Sequence, residues 1–277
     1  MMFRAAGVIG WPVAHSRSPL LHGYWLERYR VRGTYVPLPV RPADLSDALR
    51  GLRALGFAGC NVTIPHKEAA ARLVDRLDPT SARTGAVNLI VVEQDGTLVG
   101  RNTDGDGFLE NLRSQSPGWR GDAGPVVVLG AGGGARSVMV SLLQHGAPEI
   151  RLLNRTHARA EELAEWLGDP RVVALDWADR DAALADAALL VNATSLGMTG
   201  QDPLALDLAA LPRSAVVCDL VYNPLETSLL ATAQDRGHAT VDGLGMLLHQ
   251  ARPAFAAWFG VLPDITDELR AIVAAGL

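Results

Sequence analysis

A glycine-rich turn at residues 130–135 carries the clearest chemical signal in this sequence. It follows the apolar run Val126 to Leu129 and precedes a helical pattern. Its residues are Gly130, Ala131, Gly132, Gly133, Gly134 and Ala135. Small residues at this spacing allow a tight turn, close approach of the backbone to a pyrophosphate, and close packing of the helix on the strand. The N–H groups in the first turn of the helix then face the phosphates. A glycine-rich motif alone also occurs in ordinary turns, so a dinucleotide site is inferred only together with its surroundings.

The end of the next apolar run, Ile150 to Leu153, indicates which dinucleotide fits. Enzymes that use NAD usually place an acidic residue here, where it binds the ribose 2′-hydroxyl. This chain instead has Asn154, Arg155, Thr156 and Arg159. Two guanidinium groups without a carboxylate favour a 2′-phosphate, and the sequence therefore predicts an NADP(H) site. Arg151, inside the run, is interpreted as a solvated or edge residue.

Polar residues in the N-terminal half interrupt apolar surroundings and are candidates for a substrate pocket. Ser16 and Ser18 lie two residues apart at the start of a predicted helix. They either bind a ligand or, in the case of Ser18 followed by Pro19, simply cap the helix. Asn88 interrupts an apolar strand, and a buried Asn needs hydrogen-bond partners from the backbone or from a ligand.

Lys67 and Asp104 are the candidates for proton transfer. Lys67 lies in the opening turn of a predicted helix, where the positive end of the helix dipole disfavours a cation. A lysine near a ketone or an alcohol can transfer the proton that accompanies hydride transfer, particularly if a carboxylate orients it. Asp104 is the carboxylate that we pair with it. The alternatives are an ordinary solvated lysine and an aspartate that caps the helix before Phe108.

Short apolar strands alternate with helical patterns along the chain, which predicts an α/β protein with mostly parallel sheets. The predicted strands of the N-terminal half are residues 7–10, 35–38, 58–62, 87–92 and 97–100, the last two joined in a hairpin by Asp95-Gly96. Those of the second half are residues 126–129, 150–153, 189–192 and 215–219. Because open parallel sheets bind ligands at the carboxyl ends of their strands, Thr194 and residues 219–223 are expected at the same edge as the glycine turn.

Composition limits the classes of function. The chain has 277 residues with 48% hydrophobic residues, enough for two modest domains. A net charge of −5 without basic runs argues against nucleic acid as a partner. We find no signal peptide and no membrane span in the sequence, and expect a cytoplasmic protein. Cys60 and Cys218 are expected as buried thiols, and no metal site is predicted among the seven His.

Taken together, the motifs of this chain resemble the shikimate dehydrogenase family, and the resemblance covers essentially the whole sequence. In the N-terminal half it is carried by Gly10-x-Pro12-x-x-His15-Ser16-x-Ser18-Pro19, Asn61-Val62-Thr63-x-Pro65-x-Lys67, Gly85-Ala86-Val87-Asn88 and Asn102-Thr103-Asp104-Gly105. Beyond the glycine turn and Asn154-Arg155-Thr156, it is carried by Asn192-Ala193-Thr194-x-x-Gly197-Met198, Tyr222-Asn223-Pro224-x-x-Thr227 and Asp242-Gly243-x-Gly245-Met246-Leu247-x-x-Gln250.

The resemblance implies NADP-dependent interconversion of 3-dehydroshikimate and shikimate, with Lys67 and Asp104 as the catalytic pair. It implies that Ser16 and Ser18 bind the substrate carboxylate. It also implies further substrate contacts from Thr63, Asn88, Tyr222 and Gln250. On the cofactor side it assigns the pyrophosphate to residues 130–134 and the ribose phosphate to Asn154, Arg155, Thr156 and Arg159. Leu220, Gly243 and Met246 are then expected near the nicotinamide.

The resemblance also implies a division of the chain. We expect a substrate-binding catalytic domain over residues 1–104, a Rossmann-like NADP-binding domain over residues 105–239, and C-terminal helices over residues 240–277 that return to the substrate domain. A monomer and a homodimer are both compatible with the sequence. Two other functions stay open at this point: a dehydrogenase of broader or quinate preference, and a non-catalytic Rossmann protein that senses NADP(H).

Overall fold

A computed structural model describes residues 3–277, which fall into two compact units. The first unit contains the residues up to Asp104 together with Leu247–Ala275, and the second contains Gly105–Met246. The chain passes from one unit to the other near the start of helix α5 (Asp104–Gln115) and returns within helix α9 (Gly243–Phe259).

The first unit is built on a mixed sheet. Its strands are β1 (Arg4–Gly10), β2 (Gly33–Pro39), β3 (Gly59–Val62), β4 (Arg76–Leu77), β5 (Leu89–Val92) and β6 (Leu98–Arg101). Its helices before α5 are α1 (Ser18–Arg28), α2 (Leu45–Ala54), α3 (Lys67–Leu73) and α4 (Pro79–Thr84). The strand order is β2-β1-β3-β5-β6-β4; β1 pairs in parallel with β2 and β3, and β4 with β6, whereas β5 runs antiparallel to β3 and β6. The predicted hairpin is therefore confirmed as β5 and β6.

Strand direction places several loops at one edge of this sheet. Residues 11–17 follow β1, residues 63–66 follow β3 and residues 102–103 follow β6. Since β5 runs antiparallel to β3 and β6, Asn88, which immediately precedes β5, lies at the same edge. Polar residues far apart in the chain are thereby brought together.

The C-terminal helices pack on the first unit. Trp258 in α9 is fully buried and donates a 3.0 Å hydrogen bond from Nε1 to the Ile90 carbonyl oxygen. Trp25 Nε1 donates to the carbonyl oxygen of Asp264, which precedes α10 (Asp267–Ala274), at 3.1 Å. Large aromatic surfaces and satisfied indole N–H groups fix this segment on the sheet.

The second unit is a Rossmann-like layer of parallel strands between helices. Its elements are β7 (Val126–Leu129), α6 (Gly133–Gln144), β8 (Ile150–Leu153), α7 (His157–Leu167), β9 (Val172–Leu175), β10 (Leu189–Asn192), β11 (Val216–Asp219), α8 (Ser228–Asp235) and β12 (Ala239–Val241). The strand order is β12-β11-β10-β7-β8-β9, with parallel pairing between neighbours in the described chain. The order reverses beside β7, where doubly wound sheets bind their ligands.

The continuous apolar character of β7 follows from burial on both faces. Val126 and Val128 pack in the core that contains residues of α6 and α7, whereas Val127 and Leu129 pack in the core that contains residues of α8. Successive side chains of a strand point to opposite faces, so a strand covered on both sides must be apolar at every position. The run Val126 to Leu129 meets this requirement.

Candidate active site

Lys67 and Asp104 form an ion pair at the polar edge of the first sheet. Lys67 is the first residue of α3, and Asp104 is the first residue of α5. Lys67 Nζ donates a 2.5 Å hydrogen bond to Asp104 Oδ2. The Lys67 side chain is 18% exposed and that of Asp104 is 5% exposed. The structure therefore brings together the two residues that the sequence paired, and leaves the lysine partly exposed.

Asn88 connects this pair to the C-terminal helix α9. Its Nδ2 donates to Asp104 Oδ1 at 2.8 Å and lies 3.2 Å from Gln250 Oε1. Its Oδ1 accepts a 2.9 Å hydrogen bond from the Thr103 backbone N–H. Asn88 and Gln250 are both buried. The buried asparagine finds its partners in the protein, and it fixes the orientation of the Asp104 carboxylate.

Asn102, Asn61 and Tyr35 support this cluster, although the sequence analysis assigned them no role. Asn102 Oδ1 accepts a 3.0 Å hydrogen bond from the Asp104 backbone N–H. Asn61 accepts a 2.7 Å hydrogen bond from the Tyr35 hydroxyl and donates at 3.0 Å to the Asn88 carbonyl oxygen. Burial raises the pKa of Tyr35 well above its usual value. Polar residues near the ends of apolar strands were the feature of the sequence that could have identified members of this network.

Ser16, Ser18 and Thr63 lie in or beside the loops at the carboxyl ends of β1 and β3. These loops are in contact, because the Trp11 backbone N–H donates to the Ile64 carbonyl oxygen at 3.1 Å. The Ser18 backbone N–H donates to Ser16 Oγ at 3.3 Å. Ser18 is the first residue of α1, and the N-cap position belongs to Arg17, whose side chain makes no capping hydrogen bond. The capping role considered for Ser18 is therefore wrong.

The glycine turn has the shape of an anion site. Gly130 adopts a φ of +104°, and a Cβ there would lie 2.9 Å from the Ala193 carbonyl oxygen. Gly132 directly precedes α6, and none of the described side chains caps this helix. A Cβ added to Gly132 would meet no atom of residues 3–277 within 4 Å. The first-turn N–H groups of α6 thus open onto space that a pyrophosphate can fill.

The cationic residues predicted for a ribose phosphate lie beyond the carboxyl end of β8. Arg155, Thr156 and Arg159 are exposed, and Asn154 is half-buried. Asn154 Nδ2 donates a 2.8 Å hydrogen bond to the Thr156 carbonyl oxygen, which shapes the turn into α7. Because β8 neighbours β7, these residues follow the strand beside the glycine turn. This placement fits the 2′-phosphate of NADP(H).

Arg151 differs from the expectation of a solvated or edge residue. It lies in β8, between β7 and β9, and its side chain is 16% exposed. Its Nε donates to Glu149 and its Nη1 to Asp186, each at 2.7 Å. Hydrogen bonding to Asp186 raises the pKa of Arg151. An arginine in an interior strand needs such partners, so this residue is structural.

The remaining cofactor candidates lie in the loops after β10 and β11 and in the first turn of α9. Thr194 and Leu220 are half-buried, and so is Tyr222 in the same loop as Leu220. A Cβ on Gly243 would lie 2.4 Å from the Leu220 carbonyl oxygen, so the glycine permits the start of α9 to pack against this loop. Met246 is 9% exposed and belongs to the hydrophobic core against which Leu220 packs. Tyr222 lies in the second unit, whereas the other substrate candidates lie in the first.

Asp219, the last residue of β11, is a fully buried carboxylate beside these loops. Burial raises its pKa to about 6, against the opposing effect of hydrogen bonds from Thr227, the Val221 backbone N–H and Asn192. A buried charge with several donors indicates a specific structural task. The sequence predicted Asp219 at this edge but indicated no role for it.

Within residues 3–277, no three His, Cys, Asp or Glu side chains are grouped as metal ligands. No helix within these residues has the length and apolarity that crossing a bilayer requires.

Comparison with known families agrees with this geometry. The family model of the shikimate dehydrogenase substrate binding domain matches residues 8–90. The model of shikimate/quinate 5-dehydrogenases matches residues 120–199. The first match includes Lys67 and the second includes the glycine turn.

Similar proteins extend the match over nearly the whole chain. The shikimate dehydrogenase (NADP(+)) of Paramagnetospirillum magneticum is 60% identical over 270 residues, which cover 98% of each chain. That of Rhodospirillum rubrum is 59% identical over 274 residues, 98% of this chain and 96% of its own. The Thermus thermophilus shikimate 5-dehydrogenase in complex with NADP(H) and shikimate superposes with a TM-score of 0.86 at 38% identity, covering 99% of this chain and 100% of that one. The Corynebacterium glutamicum quinate dehydrogenase in complex with NAD has a TM-score of 0.89 at 32% identity, covering 98% and 99%.

Proposed function

The chain belongs to the shikimate dehydrogenase family, and from this membership we propose how its own residues carry out the reaction. The enzyme is an NADP-dependent oxidoreductase that interconverts 3-dehydroshikimate and shikimate. The reaction belongs to chorismate and aromatic amino-acid biosynthesis. The NADP(H)-sensing and broader-specificity alternatives are not favoured, because the relatives at 60% and 59% identity are NADP-dependent shikimate dehydrogenases.

The Lys67–Asp104 pair is the observation that carries the proposed mechanism. Reduction of the ketone leaves negative charge on its oxygen, and this oxygen must receive a proton. Lys67 Nζ, held at 2.5 Å from Asp104, is the donor, and in the reverse direction it removes the proton of the alcohol. Asp104 orients the ammonium group and is itself oriented by Asn88.

We assign recognition of the substrate to polar groups of the loops described above. Ser16 and Ser18 bind the carboxylate, since hydroxyl groups at the start of a helix suit an anion. Thr63, Asn88, Tyr222 and Gln250 bind the carboxylate or ring hydroxyls. The contacts of Asn88 with Asp104 and Gln250 support this assignment, because they converge on one point of the first unit.

The second unit fits NADP(H), which supplies or accepts the hydride when bound. Residues 130–134 leave open space at the start of α6 for a pyrophosphate. Asn154, Arg155, Thr156 and Arg159 bind the 2′-phosphate, an assignment supported by two exposed guanidinium groups beyond β8. The main chain around Thr194, Leu220 and Gly243 lines the nicotinamide end, and Met246 supports it from the core.

We also propose a function for each part of the chain, a cellular location and an oligomeric state. Residues 1–104 bind substrate, residues 105–239 bind NADP(H), and residues 240–277 return to the substrate part. A cytoplasmic location is supported by Cys60 and Cys218, which are buried free thiols. The enzyme acts on small molecules as a monomer or a homodimer, which light scattering of the purified protein distinguishes.

Substitution of Lys67 tests the mechanism and separates an enzyme from a sensor. Lys67→Ala is expected to lower turnover by about 10²- to 10⁴-fold, the usual contribution of a general acid or base. The dissociation constant of NADPH, measured by fluorescence titration, is expected to stay unchanged. Turnover of Lys67→Ala within a few-fold of the wild type would refute the role of Lys67. A wild-type protein that binds NADPH but shows no turnover would favour the sensor.

A further inference from the structure

Asp219 receives hydrogen bonds from three parts of the second unit. Its Oδ1 accepts from Asn192 Nδ2 at 2.9 Å and from the Val221 backbone N–H at 3.0 Å. Its Oδ2 accepts from Thr227 Oγ1 at 2.7 Å. Asn192 and Thr227 are buried as well. We call Asp219, Asn192 and Thr227 the Asp219 cluster.

This cluster fixes the loop that follows β10. Asn192 Nδ2, besides contacting Asp219, donates to the Leu196 carbonyl oxygen at 3.1 Å. Asn192 Oδ1 accepts from Thr194 twice, from the backbone N–H at 3.1 Å and from Oγ1 at 2.7 Å. Thr194 Oγ1 in turn accepts from the Leu196 backbone N–H at 3.0 Å. The amide group of Asn192 therefore links Asp219 to residues 194–196 and holds these residues in place.

The same cluster fixes the loop that follows β11. The Val221 backbone N–H donates to Asp219 Oδ1, and the Leu220 backbone N–H donates to the Asn192 carbonyl oxygen at 2.9 Å. Thr227 closes the loop from its far end, because its Oγ1 also accepts from the Leu230 backbone N–H at 3.3 Å and caps α8. Both ends of residues 220–227 are thus tied to one carboxylate.

Both loops lie against the glycine turn. A Cβ on Gly130 would come within 2.9 Å of the Ala193 carbonyl oxygen and 3.0 Å of Thr194 Cγ2. A Cβ on Gly134 would lie 3.7 Å from Leu220 Cδ1. A shift of either loop would therefore change the space above the first turn of α6.

We propose that Asp219 is a positioning residue for the NADP(H) site, which sets the loops after β10 and β11 against the glycine turn. The proposal rests on the assignment of the nicotinamide end to Thr194 and Leu220. A buried carboxylate is an expensive way to join two loops, since an apolar contact would avoid its desolvation. Its advantage is that one anion can accept from three donors in defined directions.

The role predicts a specific pattern of cofactor binding. The Asp219 cluster adjoins the glycine turn, whereas the residues assigned to the 2′-phosphate follow β8. A substitution in the cluster should therefore weaken the binding of NADPH and of NADH to the same extent. A general loss of structure would instead lower stability without a selective effect on the cofactor, and damage at the β8 end would affect NADPH more than NADH.

The test compares Asp219→Asn with Asp207→Asn as a matched control. Asp207 accepts a 2.8 Å hydrogen bond from the Ala209 backbone N–H in the same unit and has no part in the proposed site. For Asp219→Asn, fluorescence titration is expected to show dissociation constants of NADPH and NADH both raised about tenfold, as expected for a lost charge-assisted bond. Asp207→Asn should bind both nucleotides as the wild type does.

Thr227 provides a second pair of variants if Asp219→Asn does not fold. Thr227→Val removes the hydroxyl that donates to Asp219 and should weaken both nucleotides, whereas Thr227→Ser keeps the hydroxyl and should restore binding. Unchanged dissociation constants in folded Asp219→Asn or Thr227→Val would overturn the proposal, and so would a loss confined to NADPH. Substitution of Arg155 and Arg159 could weaken NADPH binding while the Asp219 and Thr227 variants bind both nucleotides as the wild type does. That result would support the cofactor site and refute only the positioning role of Asp219.

Discussion

The Lys67–Asp104 pair predicts a strong energetic coupling that a double-mutant cycle can measure. The variants are Lys67→Met, Asp104→Asn and the two combined. Lys67→Met leaves a carboxylate that is 5% exposed with Asn88 as its neighbour. Removing one member of a buried pair lowers the free energy of unfolding by about 3–5 kcal/mol. The hydrogen bond from Asn88 to Asp104 remains, so we expect the lower value, about 3 kcal/mol, for Lys67→Met. Asp104→Asn should cost less, about 2 kcal/mol, because Lys67 is 18% exposed and keeps some hydration.

The double variant leaves no unpaired charge in this place. Replacing both members of a buried pair with neutral groups of similar volume is often close to neutral. The single effects sum to about 5 kcal/mol, so a double variant that costs no more than about 2 kcal/mol is at least about 3 kcal/mol more stable than that sum. Urea unfolding at pH 7, followed by tryptophan fluorescence without ligands, measures the three free energies of unfolding.

The exposed pair Arg76–Glu93 provides the control for this cycle. Its side chains are 60% and 38% exposed, and its hydrogen bond is 2.6 Å long. An exposed pair of this kind should couple by less than about 1 kcal/mol. Additive effects of Lys67→Met and Asp104→Asn, or a coupling no larger than that of Arg76→Met with Glu93→Gln, would refute the account of a buried, mutually dependent pair.

Further predictions concern the cofactor, pH and the substrate carboxylate. Neutralising Arg155 and Arg159 together should raise the dissociation constant of NADPH about a hundredfold, from two charge-assisted contacts, and leave that of NADH unchanged in fluorescence titrations; equal losses would contradict the 2′-phosphate assignment. Burial raises the pKa of Asp219 from 3.8 to about 6, so the folded state binds this proton more tightly than the unfolded state and loses stability as pH rises through this range. Between pH 4 and pH 7 the wild type should lose about 2 kcal/mol relative to Asp219→Asn in urea unfolding, and parallel curves would argue against this titration. Ser16→Ala and Ser18→Ala should each raise the KM of shikimate about tenfold in steady-state assays without changing NADPH binding, and an unchanged KM would exclude them from the carboxylate site.

Much of the fold could be predicted because local patterns agree with the global structure. The run Val126 to Leu129 is apolar at every position, as a strand buried on both faces requires. The hairpin of β5 and β6 was indicated by Asp95-Gly96 between apolar runs. The strand β4 was missed, because two residues are too short to carry a periodic signal.

Some candidate site residues could be singled out in the sequence because their types are unusual for their positions. Lys67 at the start of a helix and Asn88 beside an apolar strand conflict with local preference, and both lie in the buried cluster. The network behind them could not be predicted, since Asn61 and Tyr35 are joined only by the pairing of strands distant in sequence. Arg151 was misjudged for the same reason, because its partner Asp186 lies 35 residues away.

The rate of NADPH formation by the purified protein with shikimate and NADP tests the proposed function and its cofactor preference together. The same assay is run with quinate in place of shikimate and with NAD in place of NADP. We expect high activity with shikimate and NADP and far lower activity with either replacement. Comparable rates with quinate would contradict the assigned substrate, and comparable rates with NAD would contradict the role of Arg155 and Arg159.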